Sequence, residues 1–482
     1  MKPRQAQGNT AGRQQSGLPG STDRKRRFTA MWAVSSFAAL ALLSGSALLA
    51  PNEPAPAGNG GSPNGGSPAV AGPALTTVSL TFDSGRSSQL LAEEMMKRNG
   101  LRGTFFVNSG FLGAPGFMGV ENLHTLVADG NEIGGHTLTL ADLAAVVGDE
   151  AARQVCTDRS NLTGLGFKVT SFAYPFGSVT PQASGQVAAC GYNSARSIAD
   201  IRSSAGCPGC DVAEGVRPAD AFHTRAAAEV GSTWTLADLQ QSVSAAEETG
   251  GWLQLVFYDI DDSGGPRSIA PKLFEEFVVW LASRGAQQST AIRTVHEVIG
   301  GAAKAVVDAP APAPAPPGTN AVKNPGLETA GKYGLPQCWQ LGSYGESSQV
   351  LSTLTPGFGG NIARRLDVTD YKSGDAKLLP TLDLGDCSPS VLPGHAYALS
   401  AWYTSLAPTQ FEIYYRTKAG VWTYWTASPW FPATAAYQQA RWTTPAVPGD
   451  AVAISFGLNL FSNGELATDD YEMYDAGAAT NP

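Results

Sequence analysis

The chain is short of charge and short of histidine. Only 15% of its 482 residues are Asp, Glu, Lys or Arg, against roughly 25% in an ordinary domain. Its five histidines are His124, His136, His223, His296 and His395. Apart from Arg24-Lys-Arg-Arg27, no run or stripe of basic residues occurs, so a nucleic-acid surface is excluded. Cysteine is limited to six residues. Cys207-Pro-Gly-Cys210 has neither a second cysteine pair nor a nearby histidine pair, which argues against structural zinc. An even number of cysteines reads as disulfides formed in an oxidising compartment. The expected bridges are Cys156 to Cys190 and Cys338 to Cys387, while Cys207 and Cys210 either pair locally or stay unpaired.

Glycine (55) and proline (32) are plentiful, and their tracts divide the chain. Residues 1–27 form a basic segment that stays in the cytoplasm. Residues 28–50 are apolar and, as a helix, would span roughly 34 Å, enough to cross a bilayer. Gly45 and Ala47 permit cleavage as a signal peptide, the preferred reading, while the length also permits a retained anchor. Either way the remainder is extracytoplasmic, secreted or held at the cell surface, and meets the membrane only through this segment. Residues 51–73 are a flexible Gly/Ser/Pro linker. Residues 304–319 form a Pro-Ala linker expected to act as a stiff polyproline II spacer.

Residues 74–303 alternate strand and helix, which implies a largely parallel sheet covered by helices. Strands are expected at Val78-Ser-Leu-Thr-Phe82, Thr104-Phe-Phe-Val107, Asn131-Glu-Ile-Gly134, Ser171-Phe-Ala-Tyr174 and Leu253-Gln-Leu-Val-Phe257. A late helix should start at Pro271 and end at Gly285. Asp83, His136 and Tyr258 fall at strand C-termini, where a barrel of this kind carries its active site. One Asp and one His are two metal ligands at most, while a hydrolytic zinc site needs three and a water. From the residues alone, Asp83 is either a site residue or a loop cap, and His136 either a ligand or structural. Arg196 either orients Asp83 or is a surface arginine. His296 is placed on a closing strand as a structural residue.

Five segments stand in the order found in the polysaccharide deacetylase family, the NodB homology domain, which residues 75–300 resemble. They are Thr81-Phe-Asp-Ser-Gly85, Gly103-Thr-Phe-Phe-Val107, Glu132-Ile-Gly-Gly-His-Thr137, Phe172-Ala-Tyr-Pro-Phe-Gly177 and Leu255-Val-Phe-Tyr-Asp259. The resemblance implies an irregular (β/α) barrel, a zinc ion held by Asp-His-His, a catalytic Asp base and a histidine acid, acting on acetylated glycans. Asp83 matches the base and His136 one ligand. Tyr174 and Pro175 lie in the segment that shapes the substrate groove.

Three chemical positions depart from that pattern. Ser84 stands where a ligand Asp is expected, Leu140 where the second ligand His is expected, and Tyr258 where the acid His is expected. A leucine cannot bind metal, a neutral hydroxyl is a poor substitute for a carboxylate, and a phenol is a much weaker acid than an imidazolium. Without zinc there is no activated water and no Lewis acid on the acetyl carbonyl. The sequence therefore reads as an exported glycan-binding pseudo-deacetylase with zinc weak or absent, directed at an extracellular or cell-wall polysaccharide. The alternatives are an active metal-dependent deacetylase with a substitute ligand, and an envelope scaffold that binds protein.

Residues 320–482 alternate with period two and carry six of the ten tryptophans. They read as an all-β sandwich. Asn324-Pro-Gly-Leu-Glu328 and Asp469-Asp-Tyr-Glu-Met-Tyr474 resemble the ends of jelly-roll carbohydrate-binding modules. That resemblance implies a structural calcium at Glu328 and Asp470. Trp422, Tyr424 and Trp425 are candidate sugar platforms, with Trp422 and Tyr424 on one face of a strand and Trp425 on the other.

Overall fold

The computed structural model describes residues 75–146 and 148–478. The expected signal or anchor segment and the first linker lie outside these residues. No helix among the described residues is long and apolar enough to cross a membrane.

The first domain runs β1 (Thr76–Asp83), α1 (Gln89–Arg98), β2 (Thr104–Val107), α2 (Val120–Ala128), β3 (Glu132–Gly135), α3 (Asp149–Gly164), β4 (Ser171–Ala173), α4 (Pro181–Ala189) and β5 (Ser194–Arg196). It continues through β6 (Glu229–Val230), α5 (Leu236–Thr249), β7 (Gly251–Phe257), β8 (Asp259–Ile260), β9 (Ser268–Ile269), α6 (Pro271–Gln288), β10 (Ala291–Ile292) and α7 (Val295–Ile299). The main sheet is parallel, in the order β5-β4-β3-β2-β1-β7-β6, with β10 beside the start of β1. Its two edges are drawn together by residues 224–230. Thr224 bridges Arg196 on β5, and the Ala227 N–H donates to the Gln254 carbonyl on β7 (3.0 Å). An irregular barrel results.

β1 is central and buried on both faces: Val78, Leu80 and Phe82 line one face, each contributing roughly 1.5–3 kcal/mol, while on the other the buried Ser79 and Thr81 hydroxyls donate to the Arg293 and Leu255 carbonyls. Phe82 stacks on Phe105 (4.6 Å), and Phe257 meets Phe274 edge-on (5.1 Å), which fixes α6 against the sheet. Two expectations are corrected here. Gly285 lies inside α6, which ends only where Ser289 turns left-handed (φ 58°). His296 is on helix α7, not a strand, with its ring nitrogens against Thr170 and Lys168.

The second domain is antiparallel: β11 (Trp339–Leu354), β12 (Ala363–Pro380), β13 (His395–Ser405), β14 (Phe411–Thr417), β15 (Trp422–Ala427), β16 (Thr434–Thr443), β17 (Ala451–Leu460) and β18 (Gly464–Ala478). Its order is β15-β14-β17-β12-β18-β13-β16, with β11 on β12. The long β12 serves two layers: residues 364–368 pair with β18 and residues 376–377 with β17. Leu366, Leu378, Tyr403, Phe411, Phe456 and Tyr471 fill the space between. Disulfides join Cys156–Cys190, Cys207–Cys210 and Cys338–Cys387.

The Pro-Ala stretch is not a free spacer. Arg159 donates to the carbonyls of Lys304 (2.7 Å) and Ala305 (3.0 Å), and Pro312 packs on Gly385. The domains also touch directly. Glu150 accepts the Leu384 N–H (2.9 Å), Asn161 donates to the Ala419 carbonyl (2.9 Å), and Gly420 leaves no room for a Cβ beside Leu138.

Candidate functional site

The ends of the parallel strands gather the polar side chains of the first domain. Asp83, at the end of β1, is buried and ion-paired to the buried Arg196 at the end of β5. Arg196 lies over the Phe106 ring (5.1 Å), and its Nε has no hydrogen-bond partner. The sequence left Arg196 open between two readings; the structure sets it against Asp83. His136 follows β3. Its Nδ1 lies 2.7 Å from the Ala173 carbonyl, which can only accept, so that nitrogen carries the proton and Nε2 is the acceptor. Burial lowers its pKa, against the raising effect of Asp83, and Arg196 and Arg267 lower it further. The ring is therefore neutral.

The loop after His136 is held from below by Asp158 on α3, which sequence reasoning did not find. Its carboxylate accepts the backbone N–H groups of Ser109 (2.8 Å) and His136 (3.1 Å). Burial pushes this carboxyl up to about 7. No motif marks Asp158; only its place on an otherwise packed face of α3 could have pointed to it.

Ser84 is buried in a left-handed conformation (φ 71°), and its Oγ has no partner. Leu140 is half-buried, also left-handed (φ 58°), and lies outside the apolar core. The zinc expected of the resemblance is therefore tested by its donor set. One neutral hydroxyl, one imidazole and one alkyl group do not fit a hydrolytic zinc site.

Tyr258 lies between β7 and β8. Its ring carries the Arg267 guanidinium at 4.1 Å, with that of Arg86 farther off at 5.9 Å. Arg86 is committed to Asp259 (3.2 Å), and Arg267 approaches Glu229 on β6 at 4.0 Å. Burial and the Asp83 charge raise the Glu229 pKa, while Arg267 and Arg196 oppose them. Gly231 has no space for a Cβ beneath the Pro266 carbonyl, which brings this loop down onto β6. Glu229 and Arg267 were not found from sequence, because neither sits in a recognisable motif. Three carboxylates at the mouth thus each face an arginine: Asp83 with Arg196, Glu229 with Arg267, Asp259 with Arg86. The charge is balanced by protein groups alone.

Tyr174 and Pro175 are buried, and the Tyr174 hydroxyl donates to the Phe222 carbonyl (2.9 Å), so neither offers a groove surface. The exposed aromatic in that segment is Phe176, held at φ 60°.

In the second domain the aromatic candidates separate. Trp422 is buried within its own domain, where its Nε1–H donates to the Asp383 carbonyl (3.1 Å), and so is no platform. Trp425 turns to the core. Tyr424 is 42% exposed and meets Tyr414 edge-on (5.8 Å). Beneath them Lys377 is bound by Asp375 (2.6 Å) and Glu412 (3.1 Å). The calcium expectation finds no support. Glu328 is occupied by the N–H groups of Asn361 (2.7 Å) and Ile362 (3.1 Å), and burial together with the charge of Asp469 raises the pKa of Asp470. The acidic group with ligand-like spacing among the described residues is Asp383, Asp386 and Cys387, and Cys387 is in a disulfide.

The structure thus gives a parallel barrel with Asp83 and His136 at its strand ends. Residues 73–195 match the family described as polysaccharide deacetylase. No curated protein matches the chain. Among solved structures it is similar to a family 4 carbohydrate esterase from Streptomyces lividans in complex with acetate, at 15% identity and TM-score 0.32, covering 45% of this chain and 92% of that one. It is likewise similar to a peptidoglycan deacetylase from Bacillus subtilis, at 16% identity and TM-score 0.31, covering 47% and 91%. A family 11 carbohydrate-binding module from Clostridium thermocellum is similar at 11% identity and TM-score 0.22, covering 29% and 88%.

Proposed function

We propose that this chain is an exported glycan-binding protein on a polysaccharide deacetylase scaffold that no longer performs the metal-dependent reaction. The carrying observation is the combination of Ser84, Leu140 and Tyr258 at one mouth where three carboxylates each face an arginine. A hydrolase of this class needs a metal-activated water and a strong enough acid; neutral His136 and a phenol supply neither. Of the residues near the strand ends, Phe176 is exposed and offers an aromatic face suited to a sugar ring, while Asp83 and His136 lie buried. Export is supported by the three disulfides and by the basic and apolar N-terminus. The test is to incubate the full chain with acetylated chito-oligosaccharides and acetylated xylan, following binding by calorimetry and acetate by enzymatic assay. Binding without acetate release is expected; acetate release at turnover rates refutes the reading.

A further inference from the structure

We propose that the mouth of the first domain recognises an acidic glycan, with the Arg267 guanidinium closing on a sugar carboxylate. This rests on the reading of that mouth as glycan-binding.

The argument starts from Arg267 itself. Its side chain is 37% exposed, and its plane is fixed against the Tyr258 ring. Its guanidinium has no hydrogen-bond acceptor among the described residues; Glu229, at 4.0 Å, is at the outer limit of an ion pair. A guanidinium offers five N–H donors in a rigid fork that matches a carboxylate in two parallel bonds. Stacking on an aromatic ring leaves that donor edge free and removes much of the entropy cost of ordering it.

The neighbouring groups are also donors without partners. The Ser84 Oγ and the Arg196 Nε are buried and unsatisfied, and the Tyr258 hydroxyl has no acceptor. The first two are closed off from solvent, so it is the half-buried Tyr258 hydroxyl that joins Arg267 in facing an acceptor-rich ligand. Two observations select a single negative charge. Arg86 is already hydrogen-bonded to Asp259, leaving the Arg267 guanidinium, held only by a 4.0 Å ion pair to Glu229. Asp83 and Glu229 nearby would repel a phosphate dianion more strongly than a monoanionic carboxylate. A uronic acid residue within a polysaccharide has the required charge, planarity and hydroxyl groups.

Glu229 is then a competitor for the same arginine, which gives the test opposite signs at two positions. Calorimetric titration of the full chain with tetragalacturonate, N-acetylated chitotetraose and inorganic phosphate would be run on the parent, Arg267→Ala, Arg267→Lys and Glu229→Gln, with circular dichroism to confirm folding. Tetragalacturonate should bind the parent and weaken about ten- to a hundred-fold in Arg267→Ala. Arg267→Lys should recover only part of that loss, and Glu229→Gln should bind more tightly than the parent. Equal tetragalacturonate affinity in the parent and Arg267→Ala overturns the inference, as does phosphate binding tighter than the uronate. Chitotetraose binding without uronate binding also overturns it while leaving the glycan reading intact. Failure of both glycans to bind removes both.

Discussion

Each domain buries a charged pair, and the two pairs are finished differently. In the second domain Lys377 has three hydrogen bonds, two to Asp375 and one to Glu412, and Asn459 donates to Asp375 (3.1 Å). Burial pulls the Lys377 pKa down, but the two carboxylates outweigh it and hold the ammonium above its ordinary range. In the first domain Asp83 and Arg196 are paired, yet the Arg196 Nε and the adjacent Ser84 Oγ are left without partners. Lys377 itself is fully bonded, with the Asn459 Oδ1 beside it unpartnered, whereas at the strand ends a nitrogen of the pair itself is unmet.

The largest effect should come from refilling the open site. Ser84→Asp, Leu140→His and Tyr258→His together should restore an Asp-His-His donor set and an acid, giving stoichiometric zinc and measurable acetate release. Leu140 lies outside the apolar core, so a histidine there is tolerated. The triple variant should exceed the Ser84→Asp, Leu140→His double variant by roughly 10²–10⁴-fold in rate. A folded triple variant that binds zinc and releases no acetate would show that the groove has diverged too.

Next in size is the closed network. Lys377→Met leaves two buried carboxylates uncompensated and should cost about 3–5 kcal/mol in urea unfolding. Arg196→Met should cost less, because it leaves one buried carboxylate unpaired and not two. Equal losses would erase the distinction between the two pairs.

A smaller effect is expected with pH. Burial pushes Glu412 up to about 7 from an ordinary 4.5. The folded state therefore holds this proton more tightly than the unfolded state. The resulting stability is fully present below about pH 4.5 and is lost as pH rises towards 7. Glu412→Gln removes that slope, so its stability relative to the parent should rise across the window by up to about 3 kcal/mol. A constant difference in thermal midpoint from pH 4.5 to 7 would contradict this.

The smallest effect lies at the seam. Arg416 is buried with Nε and one terminal nitrogen unpartnered, and burial lowers its pKa to about 10 despite the charges of Glu150 and Asp383. Arg416→Leu should change stability by less than about 1 kcal/mol, since replacing a poorly satisfied buried charge is often neutral. A large loss would mean the domains depend on it.

These contrasts also explain what was legible in the sequence. Asp83, His136 and Tyr258 were placed at strand ends because buried parallel strands read as apolar runs closed by one polar residue. Arg267, Glu229 and Asp158 were not found, because loops and helix faces from distant segments bring them to the mouth and no local spacing records that. On β15 the period of two separated Trp425 from Trp422 and Tyr424. It could not show that Trp422 would be buried against the segment around Asp383, since cover from a distant segment leaves no mark on one strand. The Pro-Ala tract was read from composition as a spacer, but Arg159 on α3 fixes its first carbonyls.

The most direct test of the account is the metal content of the unaltered full chain, purified, equilibrated with zinc and desalted, and then assayed for acetate release. The account predicts well under one zinc per chain and no acetate release above background. One zinc per chain, with acetate release that a chelator abolishes and zinc restores, would contradict it.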